Sequence, residues 1–138
     1  MKISNFFKEF IISVLIFFGV LYGLPKFLSL AMKSSNPVAA VSSNSMRPVL
    51  EKGDLIFIKG VEQKDIKVGE IVVYQTEDNF IVHRVVKIEE GQLTTKGDAN
   101  VIEDAPISYN QVIGRVAKIG EKPFIIPYLG NITAFANR

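Results

Sequence analysis

Phe10 to Met32 reads FIISVLIFFGVLYGLPKFLSLAM, and no other stretch limits the fold so strongly. About 20 apolar residues suffice to carry a helix across a bilayer core. Pro25 and Lys26 interrupt the run, so its cleanest apolar part is Phe10–Leu24. Lys26 can extend its charge to the far interface along its aliphatic stem, and Tyr22 and Phe27 suit an interfacial belt. The competing reading is a cleaved signal segment with Val38-Ala39-Ala40 as its small-residue cleavage site. Such segments have apolar cores of about 7–15 residues, so the length favours a retained anchor over 10–32. Lys2 and Lys8 precede the span and Lys26 and Lys33 lie within or after it. The positive-inside rule therefore gives no orientation.

The anchor accounts for a composition that is 48% hydrophobic in 138 residues. Charges are balanced and scattered, 16 basic against 14 acidic. No basic block is present to neutralise phosphates, which argues against nucleic acid as a partner. The chain has no cysteine, which excludes disulfides, thiolate metal sites and a cysteine nucleophile.

Beyond the polar linker Ser34-Ser35-Asn36-Pro37, short apolar runs alternate with turn residues. Val38–Val41 is one. Leu55–Ile58 follows Gly53-Asp54, Ile71–Tyr74 follows Gly69-Glu70, and Phe80–Ile88 follows Asp78-Asn79. Gln92–Thr95 follows Gly91, and Val112–Ile119 precedes Gly120. Strands of this length with regular turn signals predict a mainly β domain over 33–122. Lys64–Lys67 reads as a solvated turn. The stretch 123–138, PFIIPYLGNITAFANR, is expected to be an interfacial tail or the start of a second membrane segment. It contains a glycosylation sequon at Asn131.

The only histidine, His83, lies in FIVHRVVKI between Ile81 and Val85, its same-face neighbours at period two. Alone it reads as a core histidine that needs a hydrogen-bond partner. Alone, Asp98 and Asp104 in TKGDANVIEDAP read as loop acids, and the serines of SNSMRP as turn formers. Taken together they offer the parts of a serine hydrolase. A serine hydroxyl is a poor nucleophile until a base stands within hydrogen-bond reach, and the base gains from an orienting carboxylate.

The order SNSMRP, GDLIFIKG, GEIVVYQ, FIVHRVVKI, TKGDANVIED resembles the successive motifs of type I signal peptidases. The histidine within His83-Arg84-Val85-Val86 is similar to the branch in which histidine replaces the lysine base. That resemblance implies an all-β protease fold behind one N-terminal transmembrane helix. It implies residues 1–9 on the cytoplasmic side and 33–122 as the catalytic domain on the extracytoplasmic side of a cell or endoplasmic-reticulum membrane.

The resemblance further implies Ser45 as nucleophile, His83 as general base and Asp104 as the acid orienting it. Asp98 is implied as a second acid that organises the site or takes the orienting role itself. Ser43 and the backbone N–H of Ser45 match the oxyanion donors. Asn44 stands where glycine is common, and asparagine tolerates a positive φ if the turn requires one. No metal or cofactor is implied. The implied substrates are signal-peptide-bearing precursors cut after small residues at positions −1 and −3, with membrane lipid and accessory membrane subunits as partners. Met46, Leu50 and Ile71–Tyr74 are the expected pocket walls. The dozen or so residues between Met32 and Ser45 reach at most about 40 Å, which holds the nucleophile near the bilayer.

Two rival readings of the domain stand beside this one. One is a Ser-Lys hydrolase with Lys87 or Lys96 as base and His83 structural. The other is a membrane-tethered, non-catalytic β-domain that binds a partner.

Overall fold

A computed structural model of the protein describes residues 2–129. Helix α1 runs Lys2–Met32 and continues through Pro25. Its segment Asn5–Met32 has a mean hydropathy of 2.1, has no buried residue, and is long and apolar enough to cross a membrane. An all-round apolar helix with no protein against it has lipid as its natural surrounding. Proline is tolerated there because the one carbonyl it strands can be re-satisfied locally.

The rest is a mainly β domain. Its strands are β1 (Val38–Ala40), β2 (Leu55–Lys59), β3 (Ile71–Gln75), β4 (Phe80–Glu89), β5 (Gln92–Lys96), β6 (Ile107–Ser108), β7 (Val112–Val116), β8 (Lys118–Ile119), β9 (Lys122–Pro123) and β10 (Ile125–Ile126). The main sheet has the order β1-β2-β7-β3-β4-β5-β6, all antiparallel, with β10 also pairing with β2. The expected single strand 112–119 divides into β7 and β8, and β8 pairs with β9 as a separate hairpin. Its tight turn includes Gly120 at φ 62°, a conformation that costs glycine little. The segment expected as a solvated turn is a short 3-10 turn at Gln63–Asp65, but Ile66 beside it is buried in the core.

The stretch beginning at Pro123 enters the sheet at once, with Ile125 opposite Ile56 and Ile126 opposite Leu55. Residues 130–138, with the Asn131 sequon, lie outside the described residues.

Strand β3 is buried on both faces and divides the core. Ile71 and Val73 join Met46, Leu50, Ile56, Ile58 and Val116 on one side. Val72 and Tyr74 join Ile66, Val85, Leu93 and Ile107 on the other. A near-continuous apolar run is what a strand with core on both sides requires. The pairing of β4 with β3 sets His83 opposite Val72, so His83 faces the second of these cores.

Candidate active site

Ser45 sits on the loop between β1 and β2. The base of that loop is closed by Val41 and Asp54, whose backbones bond at 2.8 Å, and by Gly53 N–H to Val41 at 2.9 Å. Within the loop, a turn forms from Met46, whose carbonyl accepts from Val49 and Leu50 at 2.9 and 3.0 Å. Met46 and Leu50 are fully buried and anchor the turn in the core. Asn44 does not adopt a positive φ. Its role is a side-chain bond, with Oδ1 accepting from Lys52 N–H at 3.0 Å. That staple replaces the expectation of left-handed backbone at this position.

The expected residues converge. His83, 7% exposed, stands with Nε2 3.1 Å from Ser45 Oγ and Nδ1 2.6 Å from Asp104 Oδ2. These distances lie within ordinary hydrogen-bond range. Ser43 Oγ is 3.1 Å from Ser45 Oγ and accepts from Ser45 N–H at 3.5 Å. One assignment uses every proton once. Ser43 donates to Ser45, Ser45 donates to His83 Nε2, and His83 Nδ1–H donates to Asp104.

Asp98 stands apart from this line. It receives the Arg84 guanidinium in a fork, Nε to Oδ1 at 2.8 Å and Nη2 to Oδ2 at 2.6 Å. Arg84 Nη1 also donates to the Gly69 carbonyl at 2.8 Å. Hydrogen bonding to Asp98 raises the Arg84 pKa further, so the guanidinium keeps its charge. Neighbouring Ala99 N–H donates to the Ser45 carbonyl at 2.8 Å, so this ion pair steadies the loop beneath the serine.

Two hydroxyls whose contact with the acid the sequence does not reveal complete its surroundings. Tyr74 donates to Asp104 Oδ2 at 3.1 Å and Thr95 at 2.7 Å. The two hydroxyls are 3.3 Å from each other. They have two protons for three contacts, so both can serve the carboxylate only if the contact between them goes unbonded. Burial pushes the Tyr74 phenol up to about 12; the Asp104 carboxylate adds to the rise, and the Thr95 hydroxyl pulls the other way. The phenol therefore stays a donor across the neutral range. Tyr74 was expected as a pocket wall; the available signal was a buried hydroxyl in an otherwise apolar strand, which needs a partner.

The cleft beside Ser45 and His83 has a volume of about 290 Å³. Ala39, Val41, Met46, Phe80 and Val82 give it apolar walls. Leu50 and Ile71–Tyr74 do not line it, because β3 and the Met46 turn point them into the two cores. A larger cavity, about 650 Å³, is lined by Arg84, Lys118 and Lys122 among others and includes neither Ser45 nor His83. Convergent chemistry, rather than size, identifies the site. Among the described residues, the hydrogen-bond partners of Ser45 Oγ are Ser43 and His83, while Lys87 pairs with Glu89 at 2.8 Å. No group of three His, Asp or Glu side chains is set to hold a metal among the described residues.

Comparisons with known proteins agree with this architecture. Residues 25–117 match the family model described as Peptidase S24-like. The chain is 35% identical over 114 residues to the human signal peptidase complex catalytic subunit SEC11C, a match that takes in 75% of this chain and 59% of the relative. It is 38% identical over 120 residues to the SEC11 catalytic subunit of Leptosphaeria maculans, covering 78% of this chain and 68% of the relative. It is 34% identical over 125 residues to that of Candida dubliniensis, covering 84% and 75%. The match thus spans 59% of the length of the SEC11C relatives.

Proposed function

Because the chain belongs to the S24-like peptidases, and among them to the type I signal peptidase family, we propose that it is a membrane-anchored serine endopeptidase that removes signal peptides from precursor proteins. The observation that carries this reading is the unbroken line from Ser45 Oγ through His83 to Asp104.

Ser45 Oγ attacks the scissile carbonyl carbon while His83 Nε2 takes its proton. Asp104 accepts from Nδ1–H throughout, which holds the ring in one tautomer and stabilises the imidazolium. The carbonyl oxygen becomes an oxyanion, met by Ser45 N–H and Ser43 Oγ–H once the substrate displaces their mutual contact. Removing one such donor typically costs about 10²–10³ in rate. His83 returns its proton to the leaving amine, the new N-terminus of the mature protein. A water, deprotonated by His83, then hydrolyses the ester and restores Ser45.

Helix α1 serves as the anchor, with residues 1–9 on the cytoplasmic side and the β domain on the other side of the membrane. The apolar cleft is small enough to favour Ala-like side chains at positions −1 and −3. Accessory membrane subunits are proposed as partners, since relatives are named as catalytic subunits of a complex.

Incubation of the purified full chain with a model precursor, followed by mass analysis of the products, tests this reading. A single cut after a small residue is expected. An uncut precursor under conditions where the chain is folded would instead favour the non-catalytic, partner-binding reading.

A further inference from the structure

We propose that Asn100 is a substrate-contacting residue whose side-chain amide donates a hydrogen bond to a main-chain carbonyl of the bound precursor. The inference rests on the proposed function and adds to it a donor that the Ser45–His83–Asp104 line does not contain.

Asn100 lines the cleft together with Ser43, Ser45 and His83. Among the described residues its carboxamide makes no hydrogen bond, although its backbone is firmly held. Asn100 N–H donates to the Gly97 carbonyl at 2.9 Å, and Ala99 before it is bonded to Ser45. Asp98, one residue earlier, is fixed by the Arg84 fork. The amide's place depends on Gly97. A Cβ on Gly97 would lie 2.7 Å from Asn100 Nδ2 and 2.7 Å from the Ser45 carbonyl oxygen. The glycine lets both groups crowd one point, which sets the donor end of the carboxamide beside the peptide unit of the nucleophile.

A half-buried amide held by a rigid turn and left without a protein partner is complementary to a ligand carbonyl. An extended peptide in the cleft presents such carbonyls along its length. The asparagine on the nucleophile's own loop offers the contrast: Asn44 already spends its side chain on Lys52 N–H, whereas the Asn100 carboxamide has no such partner among the described residues.

The test measures binding rather than turnover. Full-length Ser45→Ala protein in detergent is titrated with a fluorescently labelled precursor peptide, alone and combined with Asn100→Ala or Asn100→Asp. Loss of one neutral donor is expected to raise Kd about three- to tenfold in the alanine variant. The aspartate variant keeps the shape but turns a charge on the carbonyl, and its Kd should rise further. Thermal midpoints should stay within about 2 °C of the parent. Kd values within twofold of the parent for both variants would overturn the proposal. So would weakening that tracks a fall in thermal midpoint. Failure of the wild-type chain to cleave would strike the proposed function and leave this binding comparison standing.

Discussion

Asp104 Oδ2 lies 2.6 Å from His83 Nδ1, 2.7 Å from Thr95 and 3.1 Å from Tyr74. One oxygen surrounded by three donors is a fixed acceptor, and it leaves the imidazole a single orientation. Asp98 has a different job, because both of its oxygens are taken by Arg84. The two acids therefore respond differently to the same substitution. Asp104→Asn keeps the shape but removes the charge that holds the tautomer, and cleavage should fall by about 10³–10⁴. Asp98→Asn weakens only the loop support. It should cost about tenfold in kcat/KM and lower the thermal midpoint. Parallel kinetics and melting curves of the two variants check this.

Tyr74 gives a pH signature. Its folded pKa is raised to about 12 against an ordinary 10.0. Above pH 10 the unfolded chain loses the phenolic proton first, so stability should fall as pH climbs from about 10 towards 12. The contribution is intact below pH 10. Tyr74→Phe should remove this alkaline component from a stability–pH series. The serine, histidine and both acids were legible in the sequence because they fall in motifs of fixed order. Tyr74 and Thr95 were not, since a hydroxyl in a strand looks the same whether it meets solvent, backbone or a carboxylate.

The elements show where sequence patterns lose resolution. Period-two burial and turn glycines located most strands, because those signals are local. The run Ile71–Tyr74 shows the limit: its apolar character is equally compatible with a pocket wall and with a strand buried on both faces. Only pairing with β4 and β7 decides for the second. Pro25 is similar, because whether a proline ends a helix depends on the surroundings of the freed carbonyl.

The polar linker that joins α1 to the domain is tied at its start. Gly60 N–H donates to the Met32 carbonyl at 2.7 Å, and Ser29 Oγ donates to the Ser34 carbonyl at 2.8 Å. A Cβ at Gly60 would stand 1.8 Å from the Lys33 carbonyl oxygen, a backbone atom with little room to yield. Gly60→Ala should therefore destabilise the folded chain by about 1–3 kcal/mol. It should also make the Lys33–Pro37 segment more open to proteolysis. Thermal unfolding and limited proteolysis in detergent measure both.

At the scale of the whole molecule, the proposed anchor and the site form one device. A helix end bonded directly to β2's exit fixes the height and tilt of the cleft relative to the bilayer more tightly than a free linker would. A flexible insertion of about ten Gly and Ser residues between Lys33 and Ser34 would add an r.m.s. span of about 15–20 Å and release that constraint. Precursors in lipid should then be cut at more than one bond, while short peptides in detergent are cut as before. Product masses from the two settings check this.

The central claim is that Ser45 performs the cleavage with His83 as its base. Its most direct measurement is the single-turnover rate of precursor cleavage in detergent by the wild-type chain, Ser45→Ala and His83→Ala at equal folded concentration. Both variants should lose at least about 10³-fold, since members of such a unit fail together. Cleavage by either variant at a rate near that of the wild type would contradict the account.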